Sequence, residues 1–140
     1  MLINFGKWEG STLYWSQEFS ATLHRVVSEV RAVRGLSRVR LLDLPCGDMA
    51  WMSRFLRTRD ETGIDIVPSL VDHNRKAYGR FRWKFIQRDV VQNGINGTYD
   101  IIMSCAMLKP LYNSDAIRVL AVFSNSGSGY LLTTTYPLNE

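Results

Sequence analysis

Two acidic residues and a glycine lie together early in the chain, and their types limit the ligand that they could bind. Asp43, Gly47 and Asp48 come at the end of an apolar run that is predicted as a buried strand, and a helical pattern follows directly. A tight glycine turn between a strand and a helix brings a ligand close to backbone amides at the helix N-terminus. Carboxylates at this place disfavour a phosphate and favour ammonium or hydroxyl groups. The turn therefore predicts a pocket for a cationic, non-phosphorylated nucleoside; the alternative is an ordinary loop with two solvated aspartates.

Two further carboxylates end the second and third predicted strands. Asp65 comes about 20 residues after the glycine turn, the spacing at which a carboxylate accepts both ribose hydroxyls of a bound nucleoside. Ile66 offers an apolar face for adenine, Asp89 an acceptor for its amino group, and the backbone of Val90 a donor to its ring. For each carboxylate alone, a helix cap or a turn-forming aspartate is an equal alternative.

Strand and helix patterns alternate along the chain, which predicts an α/β fold with a parallel sheet and right-handed crossovers. The predicted helices are 19–33, 50–56, 68–78 and 114–123, and the predicted strands are 38–46, 62–67, 85–91, 99–105 and 130–136. Residues 1–18 are predicted as an irregular aromatic segment that packs on the domain or covers the ligand. Ligands of parallel sheets bind at the carboxyl ends of the strands. Because Ser104 and Cys105 end the fourth strand, polar groups at four successive strand ends are expected to form one rim.

The composition indicates one soluble globular domain, residues 1–140, with its core at 19–137. The chain is 46% hydrophobic and 21% charged, as ordinary globular proteins are. No apolar run approaches the roughly 20 residues that a membrane span needs, and the N-terminus has no signal-peptide pattern, so we expect a cytoplasmic protein without membrane contact. Cys46 and Cys105 are expected to be reduced. No metal site is expected, since neither His24 nor His73 has a partner at ligand spacing.

The net charge of +4 comes mostly from arginines. Much of it lies in two stretches, residues 31–40 and 75–88. A basic face of this kind could meet nucleic acid. Without a recognisable nucleic-acid-binding module in the sequence, a solvated basic surface is the favoured interpretation.

Four segments together resemble a known family. Leu41-Leu42-Asp43-Leu44-Pro45-Cys46-Gly47-Asp48 resembles motif I of class I S-adenosylmethionine-dependent methyltransferases, and Gly63-Ile64-Asp65-Ile66-Val67-Pro68 resembles the acidic motif that follows it. Arg88-Asp89-Val90 is similar to the adenine-contacting motif, and Tyr99 to Cys105 to the fourth-strand motif. More narrowly, the DLPCGD run with SGS-x-YLLTTTYP is similar to a poorly characterised group of microbial and nematode methyltransferase-like proteins. Pro45 and Met49 stand where many family members have the outer two of three glycines.

The resemblance implies a three-layer Rossmann-like sandwich with about five parallel strands in the order 3-2-1-4-5. It implies S-adenosylmethionine as cofactor, S-adenosylhomocysteine as product, and methyl transfer to an acceptor that the sequence does not identify. The implied cofactor-binding residues are Asp43, Pro45, Cys46, Gly47, Trp51, Asp65, Ile66, Asp89, Val90 and Ser104. Ser104 and Cys105 are the catalytic candidates, since the fourth strand end should face the methyl group; for Cys105 a buried strand cysteine is the favoured alternative.

The family usually continues past the fifth strand into an antiparallel hairpin, which this chain is predicted to lack. The fifth strand would then be an open edge with unpaired backbone groups. We therefore expect self-association, or a partner, at this edge. An alternative function follows from the same feature: a catalytically degenerate S-adenosylmethionine-binding or scaffold subunit that acts through a protein or nucleic-acid partner.

Overall fold

Six strands and five helices alternate in the computed structural model, which describes residues 2–4, 13–50, 52–55 and 60–134. The strands are β1 Leu2–Asn4, β2 Arg40–Asp43, β3 Asp60–Asp65, β4 Lys84–Gln87, β5 Ile101–Ser104 and β6 Tyr130–Thr133. The helices are α1 Leu13–Val33, α2 Met52–Phe55, α3 Pro68–Tyr78, α4 Val90–Asn93 and α5 Asn113–Asn125, with a 3-10 turn at Gly79–Phe81 after α3.

The strands form one parallel sheet in the spatial order β1-β6-β5-β2-β3-β4. If β1 is left out and β2 to β6 are renumbered 1 to 5, the order read from β4 to β6 is 3-2-1-4-5. The predicted Rossmann-like α/β fold is therefore confirmed. The carboxyl ends of β2, β3, β4 and β5 lie side by side at one end of the sheet, and the polar residues of the sequence motifs lie there.

Both faces of the sheet are covered, which explains why its strands are almost continuously apolar. Side chains alternate between the faces along each strand. Leu41 and Ile101 pack on the side of α1 and α3, whereas Leu42 and Ile102 pack on the side of α4 and α5. The resulting three layers enclose two hydrophobic clusters, one on each face of the sheet.

The longest described helix, α1, contributes an amphipathic face to the first cluster. Its apolar stripe has the helical spacing that the sequence shows, and it consists of Leu23, Val26, Val27 and Val30, all at most 4% exposed. Polar residues such as Arg25 and Glu29 lie on its exposed side. Within the described part of the chain, no helix is both long enough and apolar enough to cross a bilayer.

Several predicted boundaries were wrong, most of them by a few residues. The predicted first helix, 19–33, begins at Leu13 instead. The predicted third strand, 85–91, ends at Gln87 because Asp89 accepts a hydrogen bond from the amide of Gln92 and so begins α4. β3 begins at Asp60 rather than at residue 62, and β2 is shorter than predicted at both ends, Arg40–Asp43. The helix predicted at 68–78 has those bounds in the structure.

The N-terminal segment differs most from the prediction. It is not irregular throughout, since Leu2–Asn4 pairs in parallel with β6 and joins the sheet. The edge that was predicted to be open is therefore covered, and β6 has a hydrogen-bonded neighbour on each side. The structure therefore gives no support for self-association through the β6 edge. Association of the chain with itself or with a partner stays a prediction. In the described ranges no strands pair antiparallel, and residues 135–136 of the predicted fifth strand lie outside them.

Gly63 in β3 gives a direct test of the packing beside the glycine turn. A Cβ at this position would lie 2.9 Å from Cδ1 of Phe85 and 3.0 Å from both Cβ and Sγ of Cys46. We expect Gly63→Ala to lower the free energy of unfolding by about 1–3 kcal/mol, the usual cost of overpacking, in urea denaturation.

Gly79→Ala is the matched control, because Gly79 has φ of −57° and an added Cβ would meet nothing within 4 Å. This variant should be neutral or stabilised by up to about 1 kcal/mol. Equal stability of the two variants would contradict the packing of Cys46 and Phe85 described above.

Candidate functional site

The glycine turn lies across the carboxyl ends of the central strands and is hydrogen-bonded to both neighbours of β2. The amide of Leu44 donates to the carbonyl of Met103 in β5, and the amide of Cys46 donates to the carbonyl of Ile64 in β3, each at 3.0 Å. The Leu44–Pro45 peptide is cis, and Pro45 itself is exposed. Gly47 has φ of +56°, a left-handed conformation that glycine adopts without steric cost. The turn thus holds a fixed backbone conformation at the centre of the rim.

Asp65 fixes the turn from the end of β3. Its Oδ2 accepts a hydrogen bond from the amide of Gly47, and its Oδ1 accepts one from the amide of Val67, both at 3.0 Å. The residue is only 5% exposed. The predicted ribose acceptor therefore lies directly beside the glycine turn, and each of its oxygens keeps a second lone pair for a ligand.

Asn74 in α3, which the sequence interpretation missed, binds the carbonyl group of the same glycine. Its Nδ2 donates to the carbonyl of Gly47 at 2.7 Å and lies 3.7 Å from Sγ of Cys46. Asn74 is fully buried, and its Oδ1 has no hydrogen-bond partner among the described residues. The helical spacing could have identified Asn74, because it follows Val71 by three residues and so lies on the buried face of the predicted helix.

Three buried carboxylates interact electrostatically, and two of them lie at the strand ends beside the turn. Asp43 and Asp65 end β2 and β3, and Glu61, also missed from the sequence, lies on β3 opposite Leu41; each is at most 5% exposed. Burial raises the pKa of Asp43 well above the usual carboxyl range, and the negative charges of Glu61 and Asp65 raise it further. Within the described residues, neither Asp43 nor Asp65 has an Arg or Lys at ion-pair distance. The site therefore favours a positively charged ligand.

The next part of the rim is apolar and exposed. Ile66 and Val67 follow Asp65 and are 56% and 40% exposed, which is unusual for large apolar residues beside a polar site. Asp89 lies at the end of β4 and caps α4, with Oδ1 accepting from the amide of Gln92 at 3.2 Å. Val90 is buried in the first turn of that helix. The structure thus gives Asp89 the helix-capping role that the sequence left open as an alternative.

The end of β5 offers no activated nucleophile. Burial raises the pKa of the Cys105 thiol, with a smaller contribution from Asp43, so the thiol stays protonated at neutral pH. Burial, followed by the charges of Asp43, Asp65 and Glu61, likewise raises the pKa of Cys46. Ser104 is fully buried, and its Oγ has no hydrogen-bond partner in the described part of the chain. Neither catalytic candidate is therefore paired with a base there.

The structure brings together Asp43, Cys46, Gly47 and Asp65, and it places Ser104 at the end of the strand beside them. Trp51 lies outside the described residues. No group of three or more His, Cys, Asp or Glu side chains in those residues is arranged to hold a metal ion.

No family model matches this sequence, and no curated protein does either. Solved structures similar to it include S-adenosylmethionine-dependent methyltransferases. One, from Clostridium acetobutylicum ATCC 824, has a TM-score of 0.64 at 16% identity over 81% of this chain and 48% of its own. Magnesium protoporphyrin IX methyltransferase from Synechocystis PCC 6803, with bound cofactor, has a TM-score of 0.57 at 19% identity over 85% of this chain and 61% of its own.

The N-methyltransferase NodS from Bradyrhizobium japonicum WM9, in complex with S-adenosylhomocysteine, has a TM-score of 0.58 at 14% identity over 76% of this chain and 55% of its own. The chain thus spans between 48% and 61% of the lengths of these three proteins. At such identities the likeness establishes the shared fold, the Rossmann-like fold of class I methyltransferases, which the resemblance had implied.

The buried carboxylates predict an unusual dependence of stability on pH. Because the pKa of Asp43 is raised in the folded chain, the folded state binds this proton more tightly than the unfolded state does. The contribution of Asp43 to stability is therefore greatest below its unfolded pKa of about 4 and is lost as pH rises toward the folded pKa. Asn has nearly the same shape and cannot ionise, so Asp43→Asn should become progressively more stable than the wild type between pH 4 and pH 8.

Urea denaturation at pH 4, 6 and 8 measures this difference, which grows by up to about 1.4 kcal/mol for each unit of pKa elevation. Asp72→Asn is the control, since the side chain of Asp72 is 63% exposed and pairs only with Arg75 on the surface. A stability difference between Asp43→Asn and wild type that is constant across this range would contradict the elevated pKa.

Proposed function

We propose that this chain binds S-adenosylmethionine at the carboxyl ends of β2, β3 and β5 and transfers its methyl group to an acceptor. The observation that carries the proposal is the buried carboxylates of Asp43 and Asp65 at the strand ends beside the Gly47 turn. A ligand that brings positive charge offsets the repulsion among these carboxylates. The fold shared with methyltransferases supports the same cofactor.

The residues present fit this cofactor. A Cβ built on Gly47 would meet nothing within 4 Å, so open space lies beside the turn. Buried polar atoms are nearly always hydrogen-bonded, yet Oδ1 of Asn74 and Oγ of Ser104 have no partner in the described ranges. The ammonium and the hydroxyls of S-adenosylmethionine are donors of the kind that such atoms and the second lone pairs of Asp65 accept.

Each part of the rim then has a distinct role. Asp43 compensates the ammonium group, and Asp65 accepts from the ribose hydroxyls while it keeps its bonds to Gly47 and Val67. Ile66 covers one face of the adenine with its exposed side chain. Pro45 and Cys46 shape the turn, and Trp51 is assigned to the site by the resemblance alone. Asp89 and Val90 border the adenine, with Asp89 also capping α4.

When bound, the cofactor supplies a methyl group already activated on a sulfonium, so the protein's main contribution is alignment. Ser104 lies at the strand end that faces this group in the proposal. Since the thiol of Cys105 stays protonated and no base contacts Ser104 in the described residues, the chain supplies no general base from these positions. An acceptor that is nucleophilic without proton removal, such as a neutral amine, fits this end of β5 best.

A second candidate function is a cofactor-binding subunit without catalysis. One observation favours it: in the described residues, the end of β5 has no activated nucleophile and no base paired with Ser104 or Cys105. Cofactor binding is common to both candidates, whereas only the first transfers a methyl group.

A ligand series tests the cofactor assignment. In calorimetric titration, Asp43→Asn should lower the affinity for S-adenosylmethionine and for S-adenosylhomocysteine at least about tenfold. The reason is that a charge-assisted hydrogen bond contributes about 1.5–3 kcal/mol. It should leave 5′-methylthioadenosine unchanged, since that nucleoside lacks the ammonium. Asp48→Asn is the matched control: Asp48 is exposed and accepts only from the amide of Ala50 in its own loop. Equal weakening of all three ligands by Asp43→Asn would argue against the ammonium role.

Methyl transfer separates the two candidates. With S-adenosylmethionine labelled on the methyl group and a cell extract as the source of acceptors, the wild type should transfer label to an extract component. At subsaturating cofactor, Asp43→Asn should reduce this transfer at least about tenfold, because the variant loses the charge-assisted bond to the cofactor's ammonium. Cofactor binding without any transfer by the wild type would instead favour the non-catalytic subunit.

A further inference from the structure

The turn that follows β5 has a strained backbone. Ala106 has φ of +56°, in the left-handed region that residues with a Cβ rarely adopt. Among the described residues, the other non-glycine positions with positive φ are Met49 and Arg82. Met49 lies between β2 and α2, so the neighbouring strands β2 and β5 both lead into a strained turn at the carboxyl end of the sheet. Strain of this kind persists only where the surrounding structure holds it, and it concentrates at functional sites.

Two threonines at the end of β6 hold the turn after β5. The Oγ1 of Thr134 accepts a hydrogen bond from the amide of Ala106 at 2.8 Å, and the Oγ1 of Thr133 donates to the carbonyl of Ser104 at 2.9 Å. Thr133 and Thr134 are 2% and 8% exposed, so water competes little for their hydroxyls. The two hydroxyls thus hold the peptide groups on either side of Cys105.

The left-handed residue redirects the chain. In a regular strand Cys105 and Met107 would lie on the same face of the sheet, because side chains alternate. Instead Cys105 packs against the cluster on the side of α1 and α3, and Met107 packs against the cluster on the side of α4 and α5. Leu108 and Leu111 pack with Met107, and the amide of Leu111 donates to the carbonyl of Leu108 at 3.3 Å. The segment is therefore anchored on both sides of Ala106, which is itself exposed.

This turn borders the proposed cofactor site. The amide of Leu44, in the glycine turn, donates to the carbonyl of Met103 in β5 at 3.0 Å, so the two turns leave the sheet side by side. Burial, and then the charge of Asp43, raises the pKa of the Cys105 thiol, which places that thiol within electrostatic reach of the carboxylate. The exposed Ala106 thus lies at the strand end that faces the methyl group in the proposed function.

We propose that Thr134 is a positioning residue for the methyl acceptor, and that it acts by holding Ala106 in its left-handed conformation. Because this role needs an acceptor, it rests on the methyl transfer of the proposed function. The acceptor contacts the exposed surface of the turn at Ala106, and the position of that surface decides how the nucleophile lines up with the sulfonium methyl. Without the hydroxyl of Thr134 the turn relaxes to a commoner conformation, because the hydrogen bond that offsets its strain is gone.

Transfer of label from methyl-labelled S-adenosylmethionine tests this proposal, at saturating cofactor and over a dilution series of one cell extract. Thr134→Val keeps the shape of the side chain and removes its hydroxyl, so it should reduce transfer at least about fivefold at limiting extract. Thr134→Ser keeps the hydroxyl and should stay within about twofold of the wild type. In calorimetric titration both variants should bind S-adenosylmethionine within about twofold of the wild-type affinity, since Asp43 and Asp65 are unchanged.

Thr98→Val is the matched control. The Oγ1 of Thr98 donates to the carbonyl of Ser126 at 3.0 Å, near the amino end of β5, so the same substitution removes a comparable hydrogen bond far from both turns. This variant should keep transfer within about twofold of the wild type. An equal loss of transfer in Thr98→Val and Thr134→Val would overturn the proposal, and so would a loss in Thr134→Ser as large as in Thr134→Val. A parallel loss of cofactor affinity in Thr134→Val would also overturn it.

The wild type separates this proposal from the proposed function. If the wild type binds the cofactor and transfers no label, methyl transfer is wrong and the positioning role falls with it. If the wild type and Thr134→Val transfer label equally well, only the positioning role is wrong.

Amide hydrogen exchange, followed by NMR, reports on the hydrogen bond itself. The amide of Ala106 should exchange at least about tenfold faster in Thr134→Val than in the wild type, whereas the amides of Leu42 and Ile102 should keep their rates and so show that the variant is folded. An unchanged exchange rate of the Ala106 amide would contradict the proposed contact. Thr134→Ala, which also lacks the hydroxyl, replaces Thr134→Val in both experiments if the valine variant does not fold.

Discussion

The hydrogen bond between the carboxylate of Asp65 and the amide of Gly47 is the contact on which the carboxyl end of this fold depends. It joins the end of β3 to a turn that comes from β2, and Asn74 holds the carbonyl of the same glycine from α3. Side chains from β3 and α3 thus hold the two peptide groups that flank the Cα of Gly47. Gly63 allows this approach because it leaves room for Cys46 between β3 and the turn. The result is a rigid backbone in a left-handed conformation, with open space beside it where a ligand can lie.

The same arrangement concentrates negative charge away from water. Asp43, Glu61 and Asp65 are all buried, and burial, followed by the charges of Glu61 and Asp65, raises the pKa of Asp43 above its ordinary range. A packed apolar core would avoid this cost, so the cluster is better explained by a ligand than by stability. At the other end of the sheet the balance is reversed, because Arg82, Lys84 and the arginines around Asp100 give an excess of positive charge. The two ends of the strands therefore differ in charge: Asp43 and Asp65 lie at the carboxyl ends, and the exposed cations lie at the amino ends.

Most of the fold follows from local patterns in the sequence. Apolar runs that end in Asp43, Asp65 and Ser104 predict buried parallel strands, and their polar ends predict the rim. Other features depend on contacts between distant segments, and no local pattern shows them. Glu61 lies outside the predicted strand 62–67, and its burial follows from its pairing with Leu41 in the sheet. The capping role of Asp89 depends on α4, which is one turn long. The pairing of Leu2–Asn4 with β6 also escaped prediction, because three residues are too few to show a strand period.

The account is tested most directly by carbon-13 NMR of the Asp43 carboxyl group, titrated with pH in the free protein and in the presence of millimolar S-adenosylmethionine. The buried acidic cluster predicts that the pKa of Asp43 lies above its ordinary range in the free protein. It also predicts that the pKa falls when the cofactor's ammonium binds beside it. An ordinary pKa in the free protein, or a titration curve unchanged by millimolar cofactor, would contradict the central claim.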